Sequence, residues 1–145
     1  MTIYKHTYAE LAHVGSKYHK DTNFCSLIAT CVATGKPFSK VFRAYKDLGR
    51  TSRRGTHMGT QDIVLQGFGK KLEKDAGKTR EYATLAGVAN DCHTWGEGVY
   101  WIYVRGHVAA VRDGILEDWS AIRKYRGRVL TIHKVVDCVR YEDVS

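Results

Sequence analysis

The chain has a single proline in 145 residues. It also has no low-complexity stretch, and together these argue against long disordered tails. No segment approaches the roughly 20 apolar residues needed to span a bilayer. Met1 to Ser16 mixes charge and histidine with apolar residues, which is not the pattern of a secretory signal. The expectation is a soluble, cytoplasmic chain with no membrane partner. There is no internal repeat, so one domain over residues 1–145 is expected, long enough for a sizeable core.

Cysteine is sparse and unpaired in pattern. Cys25, Cys31, Cys92 and Cys138 form no C-x-x-C, and an intracellular chain keeps its thiols reduced. Cys92, His93 and Cys138 match no usual zinc spacing. The seven histidines include no H-E-x-x-H. No metal and no cofactor is expected. Acidic residues are also short, 15 against 23 Lys and Arg, giving a net charge of +8. Such a surface suits an anionic partner or simply serves solubility. Lys36 to Arg54 holds seven of the basic residues against one acid, Asp47, and Arg123, Lys124, Arg126 and Arg128 form a second cluster. Neither is interleaved with aromatics as a base-stacking surface would be, so nucleic acid is the less favoured partner.

What is present centres on Gly98 to Trp119. Val99 to Val104 is an unbroken apolar run, which reads as a strand buried on both faces. His107 to Val111 is a second run, and Asp113-Gly114 then supplies the positive-φ pair of a two-residue hairpin turn. Ile115 to Trp119 is the return strand. With that turn, Arg112 faces Ile115, Val111 faces Leu116, Ala110 faces Glu117 and Ala109 faces Asp118. His107 shares a face with Ala109, so Asp118 is its diagonal neighbour, while Glu117 points to the other face. A histidine with an aligned acid in an apolar hairpin fits an oriented general base. The competing reading is a structural His–Asp pair.

Ahead of the strands the pattern is helical. Tyr8, Leu11 and Ala12 hint at a short helix. Asp21-Thr22-Asn23 offers N-cap types before Cys25, Ile28, Ala29 and Val32, which recur at helical spacing until Gly35. Cys25 thereby falls in a first turn, where backbone N–H groups stabilise a thiolate and can bind an oxyanion. Against this stands the apolar stripe on which it lies, since free cysteine is often merely buried. Cys31 reads as packing. Phe38 to Leu48 is a second helix started at Ser39 and ended at Gly49. Thr60 to Glu73 reads as a third. Tyr82 to Leu85 is expected as a strand, Ala89 to Glu97 and Ser120 to Gly127 as loops, Val129 to Val136 as a strand, and Val139 to Tyr141 as another. Helices first and antiparallel strands after give an α+β class, N-terminal helices packed on a C-terminal antiparallel sheet.

D-T-N-F-C-S-L-I-A-T-C-V-A-T-G-K-P-F-S-K-V-F (Asp21 to Phe42) and G-H-V-A-A-V-R-D-G-I-L-E-D-W (Gly106 to Trp119) resemble the papain-like cysteine peptidase superfamily. Within it the likeness is to small single-domain members related to bacteriocin-processing peptidases, many of them phage and bacterial proteins. The resemblance implies a papain-like fold, with Cys25 as nucleophile, His107 as base and acid, and Asp118 as orienting residue. It also implies a cysteine-dependent hydrolase acting on a peptide or on an intracellular protein, a host protein if the chain is phage-encoded. The superfamily carries a glutamine about six positions before its cysteine, for the oxyanion. This chain has His19 there, and Asn23 is an alternative amide donor. The alternative function is a non-enzymatic binding protein on the same fold, engaging a host protein or nucleic acid through its basic face.

Overall fold

A computed structural model describes residues 5–18, 25–49, 58–123 and 125–138. Helix α1 spans Tyr8–Tyr18, and the Thr7 hydroxyl accepts from the Glu10 N–H at its start. Helix α2, Cys25–Thr34, is buried on every side from Ser26 onward. Its apolar stripe therefore understates its burial: it is the central helix rather than a surface one. Two hydroxyls make that burial tolerable. Thr30 and Thr34 each donate one turn back, to Ser26 O and Thr30 O, at 2.7 Å. Gly35, with φ 72°, ends the helix. Helix α3, Phe38–Asp47, buries Phe38, Val41 and Tyr45 as its spacing predicts, and starts at Pro37 rather than Ser39.

The third helix is shorter than expected. Helix α4 runs Met58–Gly67, and Gly69, at φ 81°, turns the chain into strand β1, Lys70–Lys74. The expected strand Tyr82 to Leu85 is also corrected. Thr84 makes one bridge to Arg128, and the chain around it is helical. Helix α5, Ala76–Glu81, is capped by Asp75, and helix α6, Leu85–Asp91, by Thr84, whose hydroxyl accepts from Gly87 N–H. The stretch Ala89 to Glu97 holds the end of α6 and a 3₁₀ turn, Cys92–Thr94, rather than open loop.

Strands β2 (Val99–Val104), β3 (His107–Arg112), β4 (Ile115–Leu116) and β5 (Val129–Asp137) complete an antiparallel sheet ordered β1-β5-β2-β3-β4. Helix α7, Ser120–Arg123, replaces the start of the expected loop after β4. Val139 to Tyr141 lies outside the described residues. The α+β class holds, and the N-terminal helices do pack on one face of the sheet. Trp101, Tyr103, Val108 and Ala110 meet α1 to α4 there. Helices α5 and α6 cover the other face, over Tyr100, Ile102, Val104, Ala109, Val111 and Ile132. That second cover is why Val99 to Val104 reads as continuous rather than alternating. No helix among the described residues is long and apolar enough to cross a membrane.

The hairpin register is as counted for its first two pairs, Arg112 with Ile115 and Val111 with Leu116, around Asp113 (φ 52°) and Gly114 (φ 83°). A side chain at Gly114 would meet the Cys92 and His93 backbone at 3.2–3.3 Å, so the turn needs glycine for space as well as for φ. Strand β4 is shorter than the expected Ile115 to Trp119. Glu117 N–H still bonds Ala110 O at 3.0 Å, and beyond that the chain leaves the ladder.

Candidate active site

Cys25 opens α2, half-buried, with its first-turn position as expected. His107 opens β3 directly after Gly106, a two-residue turn with φ 73° at the glycine. The sheet and α2 pack face to face, so the helix start and the strand start come together. On one side, His107 Nε2 lies 2.8 Å from Asp118 Oδ2, with both side chains under one-tenth exposed. The Cys25 thiol interacts with the same imidazole.

Asp118 reaches the imidazole from beyond the strand, not from a paired position. Its Oδ2 also accepts from Ser120 N–H at 3.2 Å and from the Ser120 hydroxyl. This local turn starts α7 and fixes the carboxylate before it meets His107. Glu117 turns the other way, as expected. Its carboxylate takes Arg112 Nη2 at 3.3 Å and the Tyr8 N–H at 3.5 Å. Trp119 and Tyr125 pack on each other at 4.9 Å and on the His107 ring at 5.2 and 6.4 Å. They shield the imidazole–carboxylate bond from water, which strengthens it.

Burial opposes charge on both partners, and the pairing overrides it. Burial alone would push the Cys25 thiol up, but the adjoining imidazole brings it below the usual thiol value. Burial would likewise pull His107 down. Its bonds to Asp118 and Cys25 instead raise it to about 9. Both shifts favour a thiolate–imidazolium pair at neutral pH. The other buried thiols behave oppositely: burial raises Cys31 and Cys92, and Cys31 is fully enclosed. Cys31 is packing, as read from the sequence.

Three contributors were not foreseen. Ser120 follows its aspartate at the spacing of a side-chain turn, so D-W-S carried a readable signal. Tyr125 gave none. Gln61 on α4 donates through Nε2 to Ser26 Oγ at 2.8 Å, both residues being buried, and so fixes the residue next to Cys25. Thirty-five residues separate them, a distance no local pattern spans. The two oxyanion candidates, His19 and Asn23, lie outside the described residues. Among the described residues no group of three or more His, Cys, Asp or Glu side chains is placed to hold a metal ion. Cys92 Sγ instead points to Gly114 O at 3.4 Å. Compared with family models, curated proteins and solved structures, the chain matches none.

Proposed function

We propose that the chain is a cysteine-dependent hydrolase of peptide or isopeptide bonds, built on a papain-like fold and acting on a protein or peptide. One observation carries this reading: the ring of His107 lies 2.8 Å from the buried carboxylate of Asp118 and interacts with the half-buried thiol of Cys25. A structural His–Asp pair does not require a thiol at a helix start beside it.

In this reading the resting site is the thiolate–imidazolium pair. Sγ attacks the substrate carbonyl carbon, and the C=O electron pair moves to oxygen. Backbone N–H groups at the start of α2, that of Cys25 first, stabilise the oxyanion. The carbonyl re-forms as the C–N bond breaks, and His107 gives its proton to the departing nitrogen. A water then loses a proton to His107, attacks the thioester, and releases the acid and Cys25. Asp118 holds the ring orientation and its charge throughout without taking the proton. An amine in place of that water makes the reaction acyl transfer, and a glutamine side chain as substrate makes it deamidation.

Alkylation by iodoacetamide tests the reading. Cys25 is expected to react near pH 6 far faster than Cys31, Cys92 or Cys138, and His107→Ala to abolish the difference. Equal, slow labelling of all four would overturn it and leave the non-enzymatic binding protein.

A further inference from the structure

Two segments joined at one end of the sheet present arginine, and one of them leads directly into His107. Arg105 precedes Gly106-His107 in the turn from β2 to β3. Arg126 and Arg128 flank Gly127 just before β5. All three side chains are exposed. The turns are tied together, because Arg105 N–H donates to Arg128 O at 3.0 Å. The Gly127 segment is fixed on its inner side as well. Its carbonyl accepts from Leu85 N–H at 2.9 Å, Arg128 bridges Thr84, and a Cβ at Gly127 would fall 2.2 Å from the Tyr125 ring and 2.7 Å from Val104.

A bonded backbone therefore carries three exposed cations next in the chain to Gly106-His107 and to Tyr125, and among the described residues none of the three makes an ion pair. The acids at hand are committed elsewhere. Asp118 is turned inward to His107 and Ser120, and Glu117 to Arg112 and Tyr8. Asp113 is at the far end of β3, paired with Lys5 at 2.9 Å. Unpaired cations beside a reactive centre raise the local concentration of an anionic ligand and pair with carboxylates.

We propose that Arg105, Arg126 and Arg128 form a subsite for an acidic segment of the substrate, beside the scissile bond on the His107 side. The chain is thus selective for acidic peptides. The inference rests on the hydrolase reading and adds a substrate class to it. A polynucleotide is the weaker fit. Trp119 and Tyr125 are packed on each other and on His107 rather than open for stacking.

The test uses the whole chain and reagents of different charge. The rate of Cys25 alkylation by anionic iodoacetate is divided by that for neutral iodoacetamide. In the triple variant Arg105→Gln, Arg126→Gln, Arg128→Gln this ratio is expected to fall about tenfold. A triple variant of equal charge change at distant exposed sites, Lys40→Gln, Lys46→Gln, Lys71→Gln, is expected to leave it unchanged. An unchanged ratio in the arginine variant, or an equal fall in the lysine variant, overturns the subsite. A glutamate-rich decapeptide is expected to protect Cys25 from iodoacetamide in the parent chain and not in the arginine variant. Protection by a single-stranded oligonucleotide alone, or by neither, overturns the acidic-peptide class. If iodoacetamide shows no preference for Cys25 in the parent chain, the hydrolase reading fails first and the subsite falls with it.

Discussion

Asp118 Oδ2 sits 2.8 Å from His107 Nε2 although the two residues do not lie on paired strand positions. The β3–β4 ladder stops at Leu116, and Asp118 is delivered by a turn that its own carboxylate closes onto Ser120. The imidazole thus has a partner that is already fixed, because the same Oδ2 accepts from the Ser120 N–H and hydroxyl. That arrangement costs little on charging the ring, because the carboxylate does not have to reorganise.

The first prediction concerns pH. The Cys25 thiol lies below its ordinary value and His107 is raised to about 9, so labelling of the thiolate–imidazolium pair forms a window. Toward anionic iodoacetate, reactivity rises as Cys25 loses its proton and declines as His107 loses the positive charge that attracts the reagent, near pH 9. Asp118→Asn removes the stronger of the groups that hold His107 up. The alkaline limb is then expected to move toward neutral pH, measured as Cys25 alkylation rate between pH 4 and 10. An alkaline limb in the same place would show that Asp118 does not tune the ring.

The same pair links pH to stability. The folded His107 lies above its unfolded value of about 6.5, so its contribution is complete below that value. It is lost as pH rises through about 9. The Asp118→Asn chain is therefore expected to be less stable than the parent by about 2 kcal/mol at pH 6. The gap should close by pH 10. Urea unfolding at the two pH values checks it.

Much of this was legible in the sequence, for local reasons. Asp113-Gly114 fixes the turn chemically, and the register of the first two pairs follows from counting. The helix period placed Cys25 at the start of α2 because Gly35 and the apolar spacing bracket the helix. What failed was also physical. Gly69 in Gly67-Phe68-Gly69 turns the chain after α4, and Leu72 in β1 stands four residues after Phe68, so a helical count ran on through Glu73. Helix α6 has no counterpart in the sequence pattern, which gives a strand over Tyr82 to Leu85 and a loop over Ala89 to Glu97, because its start is set by the Thr84 hydroxyl, a single side-chain bond that outweighs the β-forming Tyr82. Within the site, Asp118 was identified from register, yet its placement depends on Ser120. Gln61 was invisible because its partner lies across the fold.

Ser120→Ala tests that dependence. The variant keeps the backbone N–H bond to Asp118 and loses the hydroxyl bond. Stability is expected to fall by about 1 kcal/mol. Cys25 alkylation at pH 6 should slow several-fold as the carboxylate gains freedom. Ser120→Thr, which restores a hydroxyl, is expected to recover most of the rate. Loss of stability with no change in alkylation would make Ser120 merely structural.

Tyr45 tests how the central helix is held. Its hydroxyl shares a 2.7 Å hydrogen bond with Thr30 Oγ1, and both residues are fully buried. Thr30 also donates to Ser26 O, so Tyr45→Phe leaves that bond intact and removes only the link from α2 to α3. The expected cost is about 1–2 kcal/mol in urea unfolding, with no rise in Cys25 labelling selectivity. A larger cost would mean that the hydroxyl organises more of the core than its one bond indicates.

Gly127 offers the sharpest test of how the site is braced from outside. A methyl group there would stand 2.2 Å from the Tyr125 ring and 2.7 Å from Val104 Cγ1, closer than real Cβ contacts allow. Val104 is locked in the sheet, so the Tyr125 ring must move. That ring touches both Trp119 and His107. Gly127→Ala is therefore expected to open the aromatic cover, let water onto the imidazole–carboxylate bond, and lower the His107 pKa by weakening it. The alkaline limb of Cys25 labelling should shift toward neutral pH, as in Asp118→Asn but with Cys25 and Asp118 both present. Tyr125→Ala in the same background removes the clash with that ring and the cover together, and leaves the contact with Val104. It should regain part of the lost stability without regaining the limb, which separates strain at Gly127 from shielding by Tyr125. A limb that returns with the relief of strain would show that the ring does not shield the pair.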